Sequence, residues 1–180
     1  MKTDKLTGLP SSFALEELIE NFNPQDYPTD TQIFCVFIDL KGLKAINDSP
    51  NGGHDAGDLY IQLCAKKLAS SFRLRDGQDI LVRQQEEEAT GLHRQHFDGD
   101  EFVALLTCPQ LNSNQLLETI NQRLLDVSLT NPNILFRFGI SSSPLPQQGE
   151  ENKTYFKNLL DKADKNLNLK RDSETNPNSR

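Results

Sequence analysis

Three acidic residues, far apart in the sequence, are the first candidates for chemistry. Asp39 ends the apolar run QIFCVFID, residues 32–39, and Asp100 and Glu101 follow the dipeptide Asp98-Gly99. Clustered carboxylates repel one another unless a cation binds between them or one of them takes up a proton. Hard oxygen ligands with no His or Cys nearby suit Mg²⁺ or Mn²⁺, which one or two carboxylates and substrate phosphates usually hold. The residue types therefore predict a divalent-metal site, if the fold brings Asp39 to Asp100 or Glu101.

The order of the predicted elements brings these residues together. Apolar residues at helical spacing predict helices over 12–22, 57–72, 112–127 and 153–171, and short apolar runs predict strands over 32–39, 79–83, 134–141 and from Asp100 onward. The core order β-α-β-β-α-β is that of ferredoxin-like and polymerase-palm domains, an α+β fold with a central antiparallel sheet flanked by helices. In that topology the first and third strands are adjacent and antiparallel. We therefore expect Asp39, at the end of the first strand, to lie beside the start of the third.

Length and turn signals predict the domain boundaries. The 180 residues fit one domain, for which we expect the range 1–172, with a flexible polar tail over 173–180. Residues 84–95, QQEEEATGLHRQ, fit no element and predict an insertion. Asp98-Gly99 lies between strand-like runs and predicts a tight hairpin, because such a turn needs positive φ.

Composition excludes several classes of protein. The net charge of -7 argues against a general binder of nucleic acid polymers, which needs a basic face. No stretch approaches the roughly 20 apolar residues of a membrane span, and the N-terminus has no secretory pattern. Cys35 and Cys64 lie in apolar patterns, so we expect them to be core residues. The three cysteines, with Cys108, are odd in number and lack metal-ligand spacing, which favours a reducing cytoplasm.

Several segments together resemble one known family, the GGDEF domain of diguanylate cyclases, here with a DGDEF signature. The matching segments follow in the family's order and are DKLTGLPSSFALEEL at 4–18, FIDLKGLKAINDSPNGGHDAGD at 37–58, FDGDEFVALL at 97–106, GISSS at 139–143 and LLDKADKNL at 159–167. The tetrapeptide GDEF alone is a weak motif. Together with the NDS…GHDAGD stretch upstream it is a strong one.

The resemblance implies an enzyme that condenses two GTP molecules into cyclic di-GMP and two pyrophosphates. It also implies dependence on Mg²⁺ or Mn²⁺ and a transient homodimer, in which two domains each present one GTP. Metal binding and positioning supply most of the catalysis in such a reaction.

The resemblance also assigns roles to single residues. The implied metal ligands are Asp39, the carbonyl of Leu40, Asp100 and Glu101, with Asp100 as the expected general base and Glu101 beside it in the catalytic pair. The implied substrate-binding residues are Lys44 for the triphosphate, Asn47, His54 and Asp58 around guanine, Gly99 in the turn, and Arg171 for the phosphates. Asn and Asp suit guanine, since an amide N–H can donate to O6 and a carboxylate can accept hydrogen bonds from N1–H and N2–H.

Departures from the family pattern keep other functions open. Asp98 stands where the family has Gly, and Thr175 falls near a position where a phosphate-binding Arg is usual. These residues favour a weak or inactive module that binds GTP or cyclic di-GMP for regulation; a related palm-type nucleotidyl cyclase is a third possibility, against which Asp58 argues. Arg73 and Asp76 have the RxxD spacing of the family's product-inhibition site, but they lie further from the signature than is usual.

Overall fold

The computed structural model describes residues 2–50, 52–72, 79–84 and 99–175, with the backbone alone for 170–175. Four strands are present in this part of the chain: β1 (Thr31–Leu40), β2 (Ile80–Arg83), β3 (Glu101–Pro109) and β4 (Phe136–Pro144). The helices are α1 (Ser12–Glu20), α2 (Leu43–Asn47), α3 (His54–Ser71), α4 (Ser113–Thr130) and α5 (Asn152–Thr175), with short 3-10 turns at Pro24–Asp26 and Gln110–Asn112. The predicted α+β class and element order are confirmed.

The strands form one antiparallel sheet in the order β2-β3-β1-β4. Strand β1 is central and buried along almost its whole length, which agrees with the continuous apolar run that predicted it. As expected, β1 pairs with β3, and Asp39 lies directly opposite Glu101. The predicted meeting of these two strand ends is therefore confirmed.

Alternate residues of β1 face two different layers of helices. Ile33, Cys35 and Phe37 pack with apolar residues of α1 and α5, whereas Phe34 and Val36 pack with those of α3 and α4. Asp39 continues the first series. The carboxylate therefore belongs to the sheet face that α1 and α5 cover, which we call the α1/α5 face.

Helix α5 packs closely onto β4 at Gly139. A Cβ at this residue would lie 2.0 Å from the carbonyl oxygen of Ala163 and 2.4 Å from the nitrogen of Leu167. Real side chains do not approach backbone atoms so closely, so α5 can take this position only over a glycine.

The largest differences from the predicted boundaries lie at element ends. Helix α3 begins at His54, three residues before the expected start, because Gly53 has a φ of 97° and ends the irregular loop before it. Strand β4 begins later than expected, since Ile134 still closes the turn after α4 by donating to the carbonyl of Asn131 at 2.8 Å. Helix α5 ends at Thr175, beyond the predicted end at residue 171. Apolar residues at helical spacing mark the face of a helix that packs on the core, so they do not show how far the helix continues.

Candidate active site

The structure places two of the three predicted carboxylates on neighbouring strands. Asp39 and Glu101 are cross-strand partners, and partners in an antiparallel pair project from the same face of a sheet. Asp100 precedes Glu101, and its carbonyl oxygen accepts a hydrogen bond from the nitrogen of Leu40 at 3.0 Å. Among the described residues there is no group of three or more His, Cys, Asp or Glu side chains that could hold a metal ion. The acidic site is thus a cross-strand pair with Asp100 at its edge.

Arg137 is a further member of the site that sequence reasoning missed. It lies opposite Asp39 on the other neighbouring strand, β4. Its Nε donates to Asp39 Oδ2 at 3.1 Å, and its Nη2 donates to the same oxygen. The available signal was a lone charge within the apolar strand ILFRFGIS, but the register that places it opposite Asp39 comes from the structure.

Gln84 extends this row to the fourth strand. Its nitrogen donates to the carbonyl of Glu101 at 2.9 Å, and it continues the alternation of Ile80 and Val82 toward the α1/α5 face. The residue is 1% exposed, and neither Oε1 nor Nε2 has a hydrogen-bond partner. An amide, two carboxylates and a guanidinium therefore follow one another across the sheet at Gln84, Glu101, Asp39 and Arg137.

The turn before Asp100 is held by a buried ion pair. Arg83 donates through Nε to the carbonyl of Gly99 at 2.8 Å and through Nη1 to Asp4 Oδ1 at 3.3 Å. Gly99 has a φ of 69°, which favours glycine. The second carboxylate oxygen of Asp4 accepts from the nitrogen of Thr7 at 2.8 Å. The N-terminal segment DKLTGLP is thereby fixed to the signature turn, a role for Asp4 and Arg83 that the motif alone did not reveal.

The predicted guanine-binding residues lie on a neighbouring loop and helix. Asn47 ends α2, and His54 and Asp58 are exposed in the first turns of α3. A Cβ at Gly57 would lie 2.1 Å from Asn47 Oδ1, so this side chain lies directly against α3. Asn47 Oδ1 is buried and has no hydrogen-bond partner. Asn47 and the helix turn that carries Asp58 are therefore brought together.

The loop that leads into α2, the helix that carries Lys44, is fixed to the segment just before β4. Tyr60 donates its hydroxyl to the carbonyl of Lys41 at 2.9 Å and accepts from the nitrogen of Leu135 at 3.1 Å. Burial raises the pKa of Tyr60 to about 12, so the hydroxyl stays protonated. Lys44 itself is exposed on α2 and available to an anionic ligand.

Several predicted residues fall outside the described part of the chain. These are the expected inhibitory pair Arg73 and Asp76, the signature residue Asp98, the remainder of the 84–95 insertion beyond Gln84, and the side chain of Arg171.

The fold and this site define a class of protein: a palm-type α+β domain whose carboxylates meet at the ends of its two central strands. The family described as "Diguanylate cyclase, GGDEF domain" matches residues 1–177, and the chain belongs to that family.

The relatives of this chain include one protein named as a diguanylate cyclase and one named as a cyclic di-GMP phosphodiesterase. Diguanylate cyclase DgcP of Pseudomonas aeruginosa is 34% identical over 119 residues, which are 66% of this chain and 15% of that protein. Cyclic di-GMP phosphodiesterase NbdA of the same organism is 28% identical over 160 residues, 86% of this chain and 18% of that protein. The chain thus spans less than a fifth of the length of these two relatives.

Solved structures share the fold. The coiled coil and GGDEF domain of DgcB from Caulobacter crescentus, in complex with c-di-GMP, superposes with a TM-score of 0.66 at 18% identity, covering 95% of this chain and 81% of that one. Diguanylate cyclase SiaD of Pseudomonas aeruginosa, in complex with its activator SiaC, gives a TM-score of 0.63 at 23% identity, covering 95% of this chain and 58% of that one.

No helix among the residues described here is long and apolar enough to span a membrane.

Proposed function

We propose that this domain is a diguanylate cyclase that condenses two GTP molecules into cyclic di-GMP and two pyrophosphates. The observation that carries the proposal is the cross-strand pairing of Asp39 with Glu101, beside a turn fixed through Gly99. A carboxylate pair at this place suits a reaction in which a hydroxyl is deprotonated and a highly charged leaving group departs.

The donor set fits a hard divalent cation. Both hydrogen bonds from Arg137 go to Oδ2 of Asp39, and Oδ1 accepts none from the residues that the structure describes. Oδ1 can therefore take a metal ion as a ligand. With Glu101 opposite, and with Asp100 and the carbonyl of Leu40 next to it, the ligands are all oxygens, which Mg²⁺ and Mn²⁺ prefer. A bound cation would neutralise charge on the triphosphate and on the departing pyrophosphate.

The chain's own residues divide the remaining work. Asp100 accepts the proton of the 3′-hydroxyl. Lys44, on the short helix α2 that follows the loop fixed by Tyr60, contacts the triphosphate. Asn47 turns its Oδ1 toward α3, which leaves its amide nitrogen to donate to guanine O6, while Asp58 accepts from N1–H and N2–H.

The product requires two such sites. Each domain holds one GTP, and cyclic di-GMP contains two nucleotides joined by two equivalent linkages. A transient homodimer that opposes two sites would satisfy this symmetry. In the range of protein concentration where monomer and dimer coexist, activity should then rise more than proportionally with protein concentration.

A second candidate function is a regulatory module that binds GTP or cyclic di-GMP without turnover. The ion pair between Asp39 and Arg137 favours it, because a carboxylate already neutralised by a guanidinium attracts a metal ion less strongly. Asp98 in the signature favours it as well, since its charge opposes a triphosphate.

Incubation with GTP and Mg²⁺ or Mn²⁺, followed by mass analysis of the products, tests the proposal. We expect cyclic di-GMP from the wild type and none from Asp39→Ala, with metal-dependent GTP binding lost in that variant. Asp161→Ala, a matched change of an exposed α5 carboxylate, should retain the wild-type rate. Metal-dependent GTP binding without product would instead support the regulatory module. Absence of GTP binding would contradict the cyclase, and absence of binding to both GTP and cyclic di-GMP would contradict the regulatory module as well.

A further inference from the structure

Arg137 occupies the proposed metal site itself. It is the β4 partner of Asp39, just as Glu101 is the β3 partner, so the guanidinium and both carboxylates project from the α1/α5 face. The side chains of Arg137 and Asp39 are 19% and 20% exposed, which leaves the pair reachable by a ligand. Nε and Nη2 of Arg137 both donate to one oxygen of Asp39, so the third nitrogen of the guanidinium, Nη1, is not engaged by that carboxylate.

We propose that Arg137 is a nucleotide-phosphate-binding residue that also competes with the divalent cation for Asp39. The inference rests on the proposed function and adds to it a residue that determines the order of ligand binding. Before the nucleotide binds, Arg137 neutralises Asp39. When a triphosphate enters, its oxygens replace Asp39 as acceptors of the hydrogen bonds from the guanidinium. Asp39 then becomes available to the cation.

Simple electrostatics supports the first half of this proposal. A positive charge in contact with a metal-ligating carboxylate repels a divalent cation at the same carboxylate, and this repulsion persists at a partly exposed site. The cation alone should therefore bind weakly. Glu101 lies directly opposite Asp39 and adds a second carboxylate to the site. The site can therefore accept the cation once Arg137 is bound to the triphosphate.

The chemistry of guanidinium supports the second half. Its planar fork of N–H donors matches phosphate oxygens and makes charge-assisted hydrogen bonds, and a triphosphate offers more negative charge than a single carboxylate. Cation and nucleotide would then bind cooperatively, because each removes an obstacle to the other; the coupling must be reciprocal.

Two binding measurements on Arg137→Gln test the proposal without relying on turnover. Electron paramagnetic resonance gives Mn²⁺ affinity in the absence of nucleotide, and equilibrium dialysis with EDTA gives GTP affinity in the absence of metal. We expect Arg137→Gln to bind Mn²⁺ about tenfold more tightly and metal-free GTP about tenfold more weakly. Arg137→Lys, which keeps the charge, should bind Mn²⁺ like the wild type.

Two controls separate this proposal from a structural role and from the proposed function. Arg123→Gln makes the same charge change on α4, whose apolar residues pack on the other face of the sheet, and should alter neither affinity. Asp39→Asn, introduced into Arg137→Gln, should abolish the tighter Mn²⁺ binding of that variant. Unchanged affinities in Arg137→Gln, or two changes in the same direction, would overturn the role of Arg137 while leaving the metal site intact. Absence of any Asp39-dependent Mn²⁺ binding in both wild type and Arg137→Gln would overturn the proposed function as well.

Discussion

Arg83 and Asp4 form an ion pair of 3.3 Å beneath the signature turn, with side chains only 9% and 0% exposed. The same guanidinium donates to the carbonyl of Gly99. Two segments that are distant in sequence, the N-terminal DKLTGLP and the turn before Asp100, are therefore held by one side chain. This connection explains why an N-terminal motif with no reactive residue belongs to the site.

Asp4→Asn should destabilise the domain strongly. The substitution keeps the shape of the side chain but leaves the Arg83 guanidinium buried without its counter-charge, which costs about 3–5 kcal/mol in comparable cases. Urea unfolding followed by circular dichroism measures the change. Lys153→Ala, which removes an exposed ion pair of 2.9 Å with Glu20, is the control and should unfold at the wild-type midpoint. Equal midpoints for Asp4→Asn and the wild type would show that the buried pair does not hold the fold.

The sequence was sufficient for the strands and long helices, though not for the short helix α2, and for the pairing that creates the acidic site. Strand β1 was readable as one apolar run ending in Asp39, and the β-α-β-β-α-β order required its contact with β3. The role of Arg137 was not readable, because it depends on the register of β4, and sequence patterns fix strand identity better than register. Asp4 and Arg83 were missed for a related reason: a buried ion pair between residues so far apart leaves no local periodicity.

Gly139→Ala should destabilise the domain, because the added methyl group would lie 2.0 Å from the Ala163 carbonyl and would force α5 away from β4. Overpacking of this kind costs about 1–3 kcal/mol. Thermal unfolding should show a lower midpoint for Gly139→Ala than for Ser142→Ala, an exposed change on the same strand. If the two variants unfold together, the close approach of α5 at this residue is not required.

Stability should fall at alkaline pH. Burial raises the pKa of Tyr60 and of Tyr155 to about 12 and that of Cys64 to about 11, so the folded state holds these protons more tightly than the unfolded state does. The stabilisation is complete below the unfolded pKa values, about 9–10, and is lost as pH rises toward 11–12. Urea midpoints measured from pH 7 to 11 should be constant at first and then decline. Tyr60→Phe should show a shallower decline, whatever its stability at neutral pH. An equal slope in both proteins would contradict this assignment.

The domain should prefer GTP to ATP through Asn47. A base that mismatches the amide leaves hydrogen-bonding groups unpaired, at about 1–3 kcal/mol each, so Asn47→Ala should lower the preference about tenfold or more. Gly57→Ala should act in the same direction, because its Cβ would lie 2.1 Å from Asn47 Oδ1 and displace the side chain. Titration of both nucleotides with Mg²⁺ measures the ratio, and Asn121→Ala on α4 is the control. Equal wild-type affinities for GTP and ATP would refute this role.

Asp98→Gly should raise the formation of cyclic di-GMP, or create it where the wild type forms none. Asp98 lies outside the described residues, so the argument comes from its neighbours: Gly99, next in sequence, is fixed by Arg83, and Asp100 follows at the carboxylate pair. If the domain binds GTP as proposed, a carboxylate next to Gly99 would oppose the incoming triphosphate, whereas Gly adds no charge and suits a tight turn, so little stability should be lost. Initial rates at saturating Mg²⁺, taken over a series of protein concentrations, separate an effect on chemistry from one on dimerisation. Asp98→Asn, which removes the charge but keeps the side chain, should give an intermediate rate if both charge and bulk are inhibitory. A rate for Asp98→Gly at or below that of the wild type would mean that Asp98 is harmless or assists catalysis, and the signature would then be compatible with full activity.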